Sequence, residues 1–291
     1  MNRPRPNAPS TFCIEPSLAV GIVLACAFIL CPPPSQASAW QVSTSHGQII
    51  VTSSYYRTSS EFDQNGRIEY FGSSGEYRQI LTSTYMEFKL SHRDSAILSV
   101  PGEFLRFSDA YGNESTNALG DIAIGWKRLL SPLESRWALS AQGLVSFPAY
   151  SAAANPAPGN HQEDVESRVM FGRGVDILRR HVFLDLESAY RYRSGAPADQ
   201  VRDDGTIGFY PFKKTMLMGQ VFTIKSMRNG APLAPNSNPN AQSDFDLYQY
   251  EPSIVQTIRH GLQVQVGWST AFSGRNTGRG TTAVLSLWES F

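Results

Sequence analysis

The chain has 291 residues, 25 basic and 25 acidic side chains, and 41% hydrophobic residues. That balance of charge argues against a nucleic-acid partner and against a polybasic membrane-surface protein. All three cysteines, Cys13, Cys26 and Cys31, precede residue 40, so a mature form cut there has no disulfide to stabilise it.

The first element is a targeting segment. Arg3 and Arg5 supply a basic start, and Leu18–Leu30 forms an apolar run. The run is too short for a transmembrane helix, which needs about 20 apolar residues. Pro32, Pro33 and Pro34 end it, and Ala37-Ser38-Ala39 follows as a small-x-small cleavage pattern. Residues 1–39 are therefore expected to be a signal peptide cut before Trp40. An uncleaved anchor is one alternative, and a lipoprotein at Cys26 is another. The latter is weak, because Val23-Leu24-Ala25 is a poor lipobox and apolar sequence continues past Cys26. Removing Arg3, Arg5 and Glu15 leaves 23 basic and 24 acidic side chains.

Residues 40–291 show period-two alternation, the mark of strands with two unlike faces. In chain order, Ile80, Met86, Phe88 and Leu90 make one apolar face, and Trp137, Leu139, Ala141, Val145 and Phe147 another. From His181 to Arg193, Val182, Leu184, Leu186, Tyr190 and Tyr192 alternate with Asp185, Glu187, Arg191 and Arg193. Leu262, Val264, Val266 and Trp268 alternate with Gln263, Gln265, Gly267 and Ser269. The strand ending at Tyr210-Pro211 is expected to be short. Trp137 and Phe147 stand ten residues apart, or about 33 Å at about 3.3 Å per residue. With the usual tilt of a barrel strand, that matches the apolar band of about 25 Å between aromatic girdles.

Short turns are expected at 91–94, 131–134, 178–181 and 259–261. Longer polar loops are expected at 59–75, 108–118, 148–162, 194–203, 228–243 and 273–280. Short turns on one side and long loops on the other predict an all-β transmembrane antiparallel β-barrel of about twelve strands. A soluble β-sandwich would alternate too, but with shorter strands and no bias of loop length by side. The chain ends Leu285-Ser286-Leu287-Trp288-Glu289-Ser290-Phe291. This resembles the signal read by the barrel-assembly machinery, with Phe291 as its terminal aromatic and Glu289 a departure from the usual apolar residue.

Residues 117–130 read NALGDIAIGWKRLL. Gly120, Asp121, Gly125 and Lys127 resemble the Gly-Asp-x-x-x-Gly-x-Lys strand of a broad bacterial outer-membrane family named for the MetA pathway of phenol degradation, or simply called transporters. The resemblance implies a barrel that passes small, often aromatic or apolar, molecules.

Independently of that resemblance, apolar faces against lipid leave the alternate positions to line the lumen. These are Glu87, Lys89, Asp121, Lys127, Glu166, Arg168, Asp185, Glu187, Arg191, Arg193, Lys225 and Glu251. Their mixed signs fit either a polar conduit or charges that pair across strands and plug a narrow barrel. No Gly-x-Ser-x-Gly elbow or His-Glu-x-x-His pair occurs, and the five histidines are scattered. The expectation is a passive outer-membrane channel or transporter with no catalytic residues, metal or cofactor. Its partners are outer-membrane lipid, the assembly machinery and an unnamed small solute. A closed structural or ligand-binding barrel is the alternative, and an outer-membrane hydrolase comes third.

Overall fold

The computed structural model describes residues 38–41, 46–133, 135–177, 180–233 and 236–291. Apart from Ser38 and Ala39, the expected signal segment lies outside the described residues, as do Glu134, Leu178 and Arg179 of the expected turns. The strands are β1 (Gly47–Thr58), β2 (Ser60–Phe62), β3 (Ile68–Tyr70), β4 (Glu76–Lys89), β5 (Asp94–Ser108), β6 (Asn113–Leu119), β7 (Asp121–Leu129) and β8 (Trp137–Pro148). They continue as β9 (Asp164–Ile177), β10 (Arg180–Arg193), β11 (Gln200–Phe212), β12 (Thr215–Ser226), β13 (Asp246–Arg259), β14 (Leu262–Arg275), β15 (Thr277–Gly278) and β16 (Thr281–Ser290).

Twelve antiparallel strands form a ring when β6 and β7 are taken as one interrupted strand. The seam is β1 against β16, from Gln48 opposite Ser290 to Arg57 opposite Thr281. Closure leaves the ring itself without an open edge, which hydrocarbon could not satisfy. Strands β2, β3 and β15 make a small separate sheet at the long-loop end.

Alternation decides which face meets lipid. Outside the barrel, Ile80, Phe88, Val145, Leu186, Tyr192, Val266 and Leu285 are exposed, as are Trp137 and Phe147 at opposite ends of β8. Inside, the buried set is largely polar: Thr52, Glu87, Lys127, Ser140, Gln142, Glu187, Gln265 and Ser286. An apolar outside and a polar inside reverse the soluble pattern, as a hydrocarbon solvent requires.

Boundaries differ from the expectation at several points. Most of 108–118 is strand β6, and the connection before it spans only 109–112, because β5 and β6 continue as a hairpin beyond the barrel rim. β11 runs thirteen residues, with a register shift between Phe209 and Phe212 that accommodates Pro211. It starts at Gln200, inside the expected 194–203 loop.

Between β6 and β7 one extra residue enters the ladder. Ala118 faces Glu103 and Ala123 faces Ser99, so five steps on one strand meet four on its neighbour. Gly120 absorbs the difference as a β-bulge. A Cβ there would lie 2.5 Å from Glu103 Oε1 and 3.0 Å from Pro101 Cγ.

Candidate functional site

The lumen is built by the inward halves of these strands. Eleven of the twelve expected lining residues do point inward. Lys225 does not. It is exposed on the outer face between buried Ile224 and Ser226. Both faces of β12 are apolar along much of their length, so alternation of polarity could not say which one turns in. The inner one carries Met216, Met218, Phe222 and Ile224.

Most of the inward charged residues fall into two groups. On β9, β10 and β11, Arg168 is the hub. Its Nη2 lies 2.9 Å from Glu166 Oε1, and its Nη1 pairs with Glu187 and Asp204. Arg191 Nη2 lies 2.8 Å from Glu166 Oε2 and its Nη1 3.4 Å from Asp164 Oδ2. Arg193 Nε stands 3.8 Å from Asp164 Oδ1, and Arg202 Nη1 3.7 Å from Glu166 Oε2. Four arginines and four carboxylates thus make one paired wall.

Asp164, Arg202 and Asp204 belong to this wall but were not legible as such. Asp164 continues the period-two run of Glu166 and Arg168. Arg202 was hidden because 194–203 read as an extracellular loop, and Asp204 lies just beyond that stretch. In the ring, β10 stands opposite β1. The charged wall therefore faces neutral hydroxyls on β16, β1 and β4, where Thr52 Oγ1 and Ser286 Oγ are 2.8 Å apart.

The second group lies toward the short-turn end. Lys127 Nζ is 2.6 Å from Glu87 Oε1 and 2.7 Å from Glu87 Oε2, and the Tyr85 hydroxyl donates to Glu87 at 3.0 Å. Asp185 accepts from Ser38 Oγ at 3.1 Å and from the Ala39 backbone N–H at 3.0 Å. Gly125 leaves room for the Leu144 side chain, whose Cδ2 would lie 2.4 Å from a Cβ.

Toward the long-loop end is a cavity of about 230 Å³. Ile224, Phe245 and Leu247 give it an apolar flank, while Arg202, Glu103 and Gln249 provide polar groups. Pro158, Asn238 and Asn240 come from two loops that fold over the mouth. These loops are tied together: Asn236 Oδ1 accepts from Ala157 N at 3.0 Å, and Asn238 Nδ2 donates to Ala157 O at 2.9 Å.

Two carboxylates outside the membrane span anchor this roof. Burial pushes Asp199 up, but bonds from Arg193 N, the Tyr190 hydroxyl and Asn229 outweigh it and hold the group below the usual carboxylate value. Burial likewise raises Asp244, and the Arg275 guanidinium, with Nη1 3.2 Å from its Oδ2, brings it down. A second cavity, of about 250 Å³, opens near the short-turn end beside Trp40, Arg136 and His181. Among the described residues there is no cluster of His, Cys, Asp and Glu that could hold a metal ion.

A closed twelve-stranded antiparallel barrel with an apolar exterior and a charged, partly hollow lumen defines the class: a transmembrane β-barrel of the bacterial outer-membrane type. In particular, the fold is similar to the crystal structure of an outer-membrane channel from Pseudomonas putida F1. The TM-score is 0.67 at 14% identity, over 90% of this chain and 100% of that one. The NanC porin matches with a TM-score of 0.48 at 8% identity, over 84% of this chain and 100% of its own. The translocator domain of the autotransporter NalP from Neisseria meningitidis gives 0.43 at 10% identity, over 84% and 88%. No family model and no curated protein matches the chain.

Proposed function

We propose that this barrel is a passive channel for small solutes, aromatic or otherwise apolar ones among them, with the eleven expected charged residues that point inward, together with Asp164, Arg202 and Asp204, lining the path. The observation that carries the reading is the cavity of about 230 Å³ between the roof loops and the arginine wall. A dry apolar cavity of about 150 Å³ is enough for benzene, so a ring-sized solute fits here. It would set its apolar part against Ile224, Phe245 and Leu247 and its polar part toward Arg202 and Gln249. The P. putida protein, described as an outer-membrane channel, and the Gly120-Asp121 motif of the phenol-pathway family both support this reading. Phe291 is assigned to the assembly signal. Its backbone N–H donates to Gly47 O at 3.1 Å, where the seam closes, and its ring packs edge-on against Phe88.

The folded-in loops and the paired wall favour a second reading, a closed ligand-binding barrel. Liposome swelling with the refolded protein separates the two, using a series of aromatic, sugar and ionic solutes of matched size. Swelling with ring-sized solutes supports a channel. Retention of a solute without swelling supports the closed barrel and ends the channel reading.

A further inference from the structure

The segment Ser38–Trp40 belongs to no strand, yet it lies inside the barrel with its backbone bonded to the wall. Ala39 N and Ser38 Oγ donate to Asp185 Oδ2, and Ser140 Oγ donates to Ala39 O at 2.6 Å. Lys127 Nζ donates to Ser38 O at 3.2 Å and to Trp40 O at 3.1 Å. Trp40 N reaches Ser38 Oγ at 3.4 Å. The Ala39 side chain is completely buried with Leu129, Ala138 and Met170.

The Trp40 ring occupies the space over Gly172, where any Cβ would come within 2.4 Å of it, and meets Phe183 edge-on with ring centroids 6.3 Å apart. The wall residues come from four strands, β7 to β10. A buried backbone group without a partner is costly, and here the three carbonyls of the tripeptide, the Ala39 N–H and the Ser38 hydroxyl all find partners on the wall.

This arrangement is hard to reconcile with a cut before Trp40. Such a cut discards Ser38 and Ala39, removing both described donors to Asp185 and the acceptors used by Ser140 and, in part, Lys127. Two residues earlier, Ser35-Gln36-Ala37 satisfies the same small-x-small rule. We infer that the lumen carries a binding site for the chain's own mature N-terminus: a signal peptidase hydrolyses the Ala37–Ser38 bond, and Ser38–Trp40 stays docked as a strap in the short-turn half of the barrel. Water adds across that peptide bond, leaving a carboxylate on Ala37 and an α-ammonium on Ser38. The new cation then belongs to a residue whose hydroxyl already touches the Asp185 carboxylate.

The inference does not depend on the channel reading, and its test needs no transport. The intact mass of the protein isolated from outer membranes should correspond to residues 38–291. A mass starting at Trp40 overturns the inference. Because the expected cut removes Cys13, Cys26 and Cys31, the substitution A39C places a single thiol in the mature chain. It should react with a maleimide about tenfold or more slowly in the folded barrel than after heat unfolding, as a site that must open before reacting does. Adding Asp185→Ala should speed that reaction. Loss of the thiol with the signal peptide, free labelling in the folded state, or a rate indifferent to Asp185→Ala each overturns it. Should A39C fail to assemble, S38C reports the cut in the same way, because its thiol survives only if Ser38 does.

Discussion

Lys127 Nζ and Glu87 Oε1 lie 2.6 Å apart with both side chains buried, on two strands that do not touch because β5 runs between them. The pair crosses over Ser95, which is fully buried and sits opposite both Lys127 and Lys89 in the ladder. Breaking a buried pair by removing one partner costs about 3–5 kcal/mol, because the other charge stays buried. Lys127→Met should therefore lower the temperature at which the folded band converts on SDS gels. Lys127→Met combined with Glu87→Leu should recover much of the loss.

The arginine wall should divide into structural and lumen-facing members. Arg168 has a side chain 2% exposed and is met by Glu166, Glu187 and Asp204. Arg168→Met should cost about 3–5 kcal/mol by the same reasoning. Arg202 is 20% exposed, lines the cavity and has its Glu166 contact at 3.7 Å. Arg202→Gln should leave heat resistance nearly unchanged and shift the reversal potential in a salt gradient toward cations. An unchanged reversal potential would remove Arg202 from the conduction path.

Lipid and lumen faces should respond oppositely to the same insertion. Leu186 is exposed on the outside of β10, midway along the strand. Leu186→Arg should cost about 2–4 kcal/mol, the usual cost of arginine at the membrane midplane of a barrel. Ser54 lines the cavity on β1, where an arginine head can stay hydrated. Ser54→Arg should cost much less. Denaturant titration in detergent or lipid measures both, and equal costs would mean that the two faces are misassigned.

The roof should be insensitive to pH until strongly acidic conditions. Asp199 and Asp244 are held below the ordinary value of 3.8 by hydrogen bonds and, for Asp244, by Arg275. A carboxylate depressed on folding contributes stability that is complete above its unfolded value and is lost as pH falls through the folded one. Proteolysis of the 227–245 loop should thus stay flat from about pH 8 to about pH 5 and rise only below about pH 4. Asp244→Ala should raise cleavage at neutral pH, since Arg275 then holds only Asp246, with its Nε 3.0 Å from Asp246 Oδ2.

Much of the barrel was legible because its solvent imposes period two. Leu184 and Leu186 face lipid while Asp185 and Glu187 face inward, as alternation predicts. The same rule placed Gln265, which donates to Glu251 Oε1 at 2.8 Å. It failed at Lys225, where the lumen is itself apolar: Phe245 of a roof loop reaches in to pack with Ile224 and Leu247. A rule that reads polarity has no contrast to work on when both faces of a strand are hydrophobic.

Sequence by itself pointed to the solvent and to a closed barrel of about twelve strands, because these follow from local spacing: apolar residues two apart, short turns opposite long loops, and an aromatic at the end. Tertiary structure alone decided which charges meet. Glu87 and Lys127 are 40 residues apart, and Ser38 and Asp185 are 147 apart. Nothing local encodes the register that brings such residues to one level of the lumen. The same holds for Gly172, an ordinary strand glycine in the sequence whose missing side chain is the space taken by Trp40. Closing a ring of twelve strands sets the height of every inward residue against all the others, and pairings across the lumen exist only once the ring has closed.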